Sequence, residues 1–165
     1  MTATSFEDLI TLATRVAERL KERGDTVSVS ESATGGLLAA ALVAVPGASA
    51  YMVGGSVVYT MDARRALLSA APPAPKGLRG ATEEFAIWQA TAIRDVTGTI
   101  WGLGETGASG PSGNGYGDPA GHGWCAAVGE TTLTRHTLTG TEVRSANMYT
   151  FGAAALELLA EALGN

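Results

Sequence analysis

This chain lacks the residues that would mark a disulfide scaffold, a metal site, a polyanion binder or a membrane protein. Cys125 is its only cysteine, so no disulfide can close within the chain, which fits a reducing cytoplasm. His122 and His136 are its only histidines and offer no zinc-ligand spacing, so no metal is expected. The net charge of −5 comes from 11 basic and 16 acidic residues, and the basic ones do not cluster, which argues against nucleic acid as the main partner. The longest apolar run, residues 37–45, is too short for a bilayer. No basic segment precedes an apolar one in residues 1–10, so neither a membrane nor a secretory signal is expected. What remains is a single cytoplasmic domain, residues 1–165, long enough to bury a real core.

The familiar nucleotide motifs are missing too. G-x-x-x-x-G-K-[ST] needs a lysine after a glycine loop, and neither Lys21 nor Lys76 follows one. No G-x-G-x-x-G opens a helix, which speaks against a dinucleotide site, and no cofactor is expected.

Glycine is what the chain has in quantity, 22 residues of it, and its placement carries the information. Phe6, Leu9, Ile10, Ala13, Val16, Ala17 and Leu20 recur at helical spacing, predicting a first helix that ends near Gly24. A strand is expected at 26–30, a helix at 37–45 and a short helix at 48–52. Gly54 and Gly55 are expected to break the chain before a strand at 56–59, followed by a helix at 62–70. Three prolines mark 71–80 as a surface connection. Thr82 reads as the N-cap of a helix carrying Phe85, Trp88, Ala92 and Val96. A strand at 99–104 then leads into a loop at 104–123 with eight glycines. A hairpin at 124–128 and 131–137 and a helix at 145–163 complete the chain. Alternating helices and strands closed by a hairpin predict an α/β sandwich with a mixed sheet. Trp88, Trp101 and Trp124 occupy core-like positions, and His136 falls on an exposed hairpin strand.

Three polar, glycine-rich turns are the candidate site: residues 30–36, 54–55 and 105–113. Ligands of open α/β sheets bind beyond the carboxyl ends of strands, so these turns are expected to converge on one pocket. At 30–36, three hydroxyls and two glycines stand where a strand gives way to a helix. Free N–H groups there form an anion site, with Ser32 as nucleophile or phosphate ligand; Thr34 as a plain helix cap is the simpler alternative. Thr106, Ser109 and Ser112 add hydroxyls, and backbone amides can hold a phosphate without lysine.

Four blocks make the pattern specific: Ser30-Glu31-Ser32-Ala33-Thr34-Gly35-Gly36-Leu37-Leu38, then Val45-Pro46-Gly47-Ala48-Ser49, then Gly54-Gly55-Ser56-Val57-Val58-Tyr59-Thr60, then Glu105-Thr106-Gly107-Ala108-Ser109-Gly110-Pro111-Ser112-Gly113. In order and spacing they resemble the C-terminal domain of the competence/damage-inducible CinA family, in a stand-alone form. The resemblance implies a three-layer α/β/α sandwich, a homodimer and nicotinamide mononucleotide amidohydrolase activity, which releases ammonia and leaves nicotinic acid mononucleotide. It further implies Ser32 as the nucleophile, with Tyr59 and position 64 as its catalytic neighbours. Thr34, Gly35, Gly36, Gly55, Thr106, Gly107, Gly110 and Arg144 would bind the nucleotide, a small-molecule substrate.

One departure stands out. Amidase members carry a lysine five residues after the tyrosine, where this chain has Arg64. A desolvated lysine can lose its proton and act as a base, whereas arginine stays protonated and instead grips a phosphate or carboxylate in bidentate fashion. Activation of Ser32 would then fall to Tyr59, Glu31 or a water. The alternative is a binding module of the same fold, weak or inactive as a catalyst.

Overall fold

The computed structural model describes residues 3–164. Helix α1 (Phe6–Arg23) starts at a reciprocal cap in which the Asp8 N–H donates to Ser5 Oγ and the Ser5 N–H donates to Asp8. Gly24, with φ of 70°, ends it as the spacing predicted. Strand β1 (Val27–Glu31) follows and is buried along its whole length. The order continues with α2 (Leu37–Ala44), a 3-10 turn (Ala48–Ala50), β2 (Met52–Val57), α3 (Met61–Leu67) and α4 (Glu83–Thr97). Then come β3 (Trp101–Ala108), β4 (His122–Val128), β5 (Thr132–Leu138) and α5 (Arg144–Ala162).

The strands form one sheet in the order β2-β1-β3-β4-β5. β1 runs parallel to both its neighbours, while β3–β4 and β4–β5 pair antiparallel, so the sheet is mixed as expected. The period-2 alternation of β1 sends Val27, Val29 and Glu31 to one face and Ser28 and Ser30 to the other. α1, α2 and α5 cover the first face with the main core, which includes Leu9, Leu20, Leu42, Leu103, Leu156 and Leu159. α4 covers the other, where Ala86 and Ala90 meet Ala126 and Val128, and a small cluster of Val58, Leu68, Ala92 and Ile93 joins the α3 region to α4. This is the three-layer α/β/α arrangement.

Two expectations are corrected. Gly54 and Gly55 lie inside β2, paired with Ser28 and Val29, instead of breaking the chain before it. A Cβ on Gly55 would come within 2.9 Å of Ala39 and Val29, so the packing of α2 over the sheet requires a residue without a side chain there. β3 likewise continues to Ala108, where the sequence pattern suggested that a loop begins at 104. Gly102 and Gly104 lie directly under the backbone of α4, whose Ala90 and Ala86 carbonyls would collide with any Cβ. Glycine is disfavoured in strands by propensity, and here the close approach of a helix overrides it. Trp101 is fully buried, with its Nε1–H donating to Asp25 at 2.9 Å, while Trp88 and Trp124 are partly buried against the α4 side. No described helix is long and apolar enough to cross a membrane.

Candidate functional site

The β1–α2 turn is organised from below by two buried carboxylates. Glu31, the last residue of β1, folds back under the start of α2. Its Oε2 accepts from the Gly36 N–H at 2.9 Å, the Leu38 N–H at 3.0 Å and the Thr34 hydroxyl at 2.7 Å; its Oε1 accepts from the Ala39 N–H at 2.8 Å. A helix N-terminus with free amides attracts an anion, and here the chain supplies its own. The Gly36 amide, expected to face an external ligand, is occupied by Glu31.

Glu105 reaches the same turn from the adjacent strand β3. Its Oε2 accepts from the Ser32 N–H at 3.1 Å and the Thr34 N–H at 2.9 Å and lies 2.7 Å from the Thr34 hydroxyl oxygen. Its Oε1 is enclosed without a hydrogen-bond partner. Burial pushes the Glu105 carboxyl up to about 7; the hydrogen bonds from Thr34 and Ser32 oppose that rise and the nearby Glu31 adds to it. Proton counting leads to the same protonation state. The Thr34 hydroxyl has one proton and touches a carboxylate oxygen on each side, so both contacts are favourable only if one carboxyl is neutral. A neutral Glu105 donating to Thr34, with Thr34 donating to Glu31, satisfies both. On the same face Cys125 is pushed up to about 12 by burial, reinforced by Glu105, which leaves it an inert thiol.

Beside this turn the glycine-rich connection between β3 and β4 closes a polar pocket of about 280 Å³. Ala33, Tyr59, Gly107, Gly110, Asn114 and Arg144 are among its walls. The Ser109 hydroxyl donates to the Ala33 carbonyl at 3.0 Å, joining the two turns. Asn147, fully buried on α5, donates to the carbonyls of Ser109 at 2.8 Å and Thr141 at 2.9 Å, which fixes the loop against the start of that helix. Arg144 donates to the Gly110 carbonyl at 2.6 Å and to the Tyr59 hydroxyl at 2.9 Å, and makes no ion pair among the described residues. The backbone amides of Ser109, Gly110, Ser112 and Gly113 have no acceptor within the described chain. The pocket therefore combines an unpaired cation with uncommitted N–H donors, a setting suited to a phosphate or a developing oxyanion.

The residues singled out in the sequence are distributed as follows. Ser32 is half-buried next to the pocket-lining Ala33, and its hydroxyl has no hydrogen-bond partner among the described residues. Tyr59 and Arg144 meet across the pocket, and Gly107 and Gly110 line it. Gly35 is exposed at the turn with φ of 65°. Thr34 is buried between the two carboxylates. Thr106 is buried on the opposite face of β3, where its hydroxyl accepts from the Ala81 N–H at 3.0 Å. Gly55 lies under α2 and does not line the pocket, so only two of the three glycine turns converge. Arg64 is also outside it: one turn into α3, its guanidinium sits 4.1 Å from the centre of the Phe85 ring and donates to Met61 Sδ at 3.2 Å. The two histidines form no triad with Ser32. They bond each other at 3.0 Å, and His122 Nε2 lies 2.9 Å from the Ala81 carbonyl.

Sequence reasoning missed Glu105, Asn147 and a clip on the glycine loop. In that clip Asp118 accepts from Arg79 at 2.6 Å and from the Asn114 side chain at 2.8 Å, and Asn114 accepts from the amides of Tyr116 and Asp118. The period-2 run Leu103, Glu105, Gly107 would have pointed Glu105 inward had β3 been extended past 104.

Residues 9–163 match the model of the CinA C-terminal domain. A CinA-like protein of Myxococcus xanthus is 39% identical over 120 residues, covering 73% of this chain and 28% of that protein. One of Salinibacter ruber is 33% identical over 150 residues, covering 90% of this chain and 36% of that protein. The chain thus spans about a third of the length of these curated relatives. Among solved structures, a competence/damage-inducible protein of Agrobacterium tumefaciens superposes with a TM-score of 0.85 at 29% identity, over 96% of both chains. A CinA superfamily protein of Klebsiella pneumoniae does so with 0.85 at 29%, over 94% of this chain and 97% of that one. In sequence and in fold alike, the chain belongs to the CinA C-terminal domain family.

Proposed function

We propose that this domain is an amidohydrolase that converts nicotinamide mononucleotide, or a related phosphorylated amide, to the acid and ammonia. The observation that carries the reading is the polar pocket beside Ser32, with its unpaired Arg144 and the unfilled amides of the glycine loop. The family resemblance supplies the substrate class.

In this mechanism Arg144 and the loop amides hold the phosphate. The Ser32 oxygen attacks the carboxamide carbon, the C–N bond breaks, and ammonia leaves with the serine proton. Water then cleaves the acyl-serine and restores the hydroxyl. The Tyr59 hydroxyl accepts from Arg144, so its own proton is free to donate into the pocket, towards the oxyanion or the departing nitrogen. Glu31 is unsuited to be the base, because four donors already occupy its oxygens beneath the turn. A pocket water is left to carry the serine proton.

A second reading, a nucleotide-binding module with little turnover, is favoured by one specific feature. The Ser32 hydroxyl has no hydrogen-bond partner among the described residues, and Arg64, at the position of the family's lysine, faces Phe85. General-base assistance is worth roughly 10²–10⁴-fold, so its loss could leave binding without chemistry. The two readings separate in one experiment that measures nucleotide binding by calorimetry and ammonia release in parallel. Binding with release supports the amidohydrolase, binding without release supports the module, and neither would contradict both.

A further inference from the structure

α3, α4 and the proline-rich connection of residues 71–78 enclose a second hollow of about 530 Å³, which shares no lining residue with the pocket beside Ser32. That volume falls in the range of small-molecule sites, roughly 300–1,000 Å³. Leu68, Pro72, Pro75, Leu78 and Trp88 give it apolar walls, and the Trp88 indole N–H donates to the Pro72 carbonyl at 3.3 Å, tying the connection to α4.

Arg64 is the half-buried cation in this apolar setting. One face of its guanidinium lies against Phe85, whose ring is itself 5.5 Å from that of Trp88. Its Nε is enclosed without an acceptor, and the Met61 sulfur is its only hydrogen-bonding contact among the described residues. No carboxylate among the described residues pairs with it; the nearby Asp62 is taken by Arg65 at 3.3 Å. Desolvation holds the guanidinium below its ordinary value, the signature of a charge that the fold has removed from water without compensating it. Buried donors in native proteins are nearly always satisfied, so a half-buried guanidinium with an enclosed Nε and no carboxylate partner among the described residues calls for an acceptor from outside the chain.

We infer that this hollow binds a small carboxylate with a flat apolar body, the carboxylate pairing with Arg64 and the ring packing against Trp88 and the proline walls. One unpaired cation matches a single negative charge. Arg65 also lines the hollow, but it is exposed and shares the exposed Asp62 at 3.3 Å, so the half-buried Arg64 is the cation set against the apolar walls. The planar guanidinium can lie on Phe85 and still present its edge, which the compact, strongly hydrated ammonium of a lysine would not do.

The test titrates the full-length protein with benzoate, phenylacetate and 3-phenylpropionate, and with phenylacetamide as the neutral control, reading tryptophan fluorescence. At least one carboxylate is expected to saturate below about 10 mM and to bind at least about tenfold more tightly than the amide. Arg64→Met is expected to weaken that binding at least about tenfold, and Trp88→Phe to abolish the fluorescence change. Ser32→Ala, which alters only the other pocket, is expected to bind like wild type. A companion NMR titration of the wild type, independent of whether the variants fold, should shift the Trp88 indole N–H and leave residues 107–113 unmoved. The inference is overturned if no carboxylate saturates, if the amide binds equally well, if Arg64→Met binds undiminished, or if the shifts map to residues 107–113. Because none of these readouts uses nicotinamide mononucleotide, this inference and the proposed amidase activity stand or fall separately.

Discussion

The pocket beside Ser32 and the hollow around Arg64 each contain one arginine without a carboxylate partner, and the two arginines are held in opposite ways. Arg144 is exposed, hydrogen-bonded to a carbonyl and a phenol, and surrounded by glycine backbone whose amides are uncommitted. Arg64 is half-buried, laid on an aromatic ring and surrounded by prolines and a tryptophan. The first surroundings suit charge as it develops, because uncommitted backbone amides belong to the loop that lines one small pocket. The second, with one half-buried guanidinium among apolar walls, suits a charge that is already present. The two proposals accordingly assign chemistry to Ser32 and recognition to Arg64, although the resemblance groups both residues in one catalytic set.

The difference extends below the surface, since the Ser32 pocket rests on Glu31, Thr34 and Glu105 and the Arg64 hollow rests on rings. The largest expected effect comes from removing Glu31. Glu31→Ala would leave three buried or part-buried amides and the Thr34 hydroxyl without this acceptor, at a cost of about 3 kcal/mol, read by chemical denaturation. A change below about 1 kcal/mol would break the idea that this carboxylate organises the turn.

An effect of similar size is expected from pH. Glu105 has a folded value of about 7 against an ordinary 4.5, so the unfolded chain releases this proton first as pH rises. The stability linked to it is fully present below 4.5 and is lost as pH climbs through 7, about 3 kcal/mol in all. Denaturation midpoints between pH 5 and 8 should fall accordingly, and Glu105→Gln should flatten the dependence. A slope unchanged in that variant would assign the titration to another group.

Arg144→Met is expected to weaken nucleotide binding by about 2 kcal/mol, roughly 30-fold, while leaving carboxylate binding in the Arg64 hollow untouched. If both sites weakened together, the separation of the two regions would be wrong. The smallest effect belongs to Gly55→Ala, whose new Cβ would press on Ala39 and Val29 and cost about 1–2 kcal/mol, with substrate affinity unchanged. Melting temperature and calorimetry together would show whether Gly55 serves packing alone.

Much of this was legible in the sequence wherever the signal is local. The helical spacing of Leu9, Val16 and Leu20, the caps at Gly24 and Thr82, and the alternation of Val27 and Val29 along β1 each depend on neighbours a few residues away. What escaped depends on partners distant in the chain. Gly55 and Gly104 read as breakers because propensity does not register that a helix passes directly over them. Ending β3 at 104 placed Glu105 in a surface loop and hid the second carboxylate beneath the turn. The order of motifs brought Ser32, Tyr59, Gly107, Gly110 and Arg144 into one region, but spacing gives separation and not direction. Arg64 lies one turn into α3, and that short helix turns it towards Phe85 on α4.

The central claim, that the polar pocket performs chemistry at Ser32, is tested most directly by measuring ammonia release from nicotinamide mononucleotide by the wild type and by Ser32→Ala. The wild type is expected to release one ammonia for each nicotinic acid mononucleotide formed. Ser32→Ala should bind the nucleotide with wild-type affinity and release ammonia at least about 10³-fold more slowly. No release by a wild type that binds the nucleotide, or undiminished release by Ser32→Ala, would contradict the account.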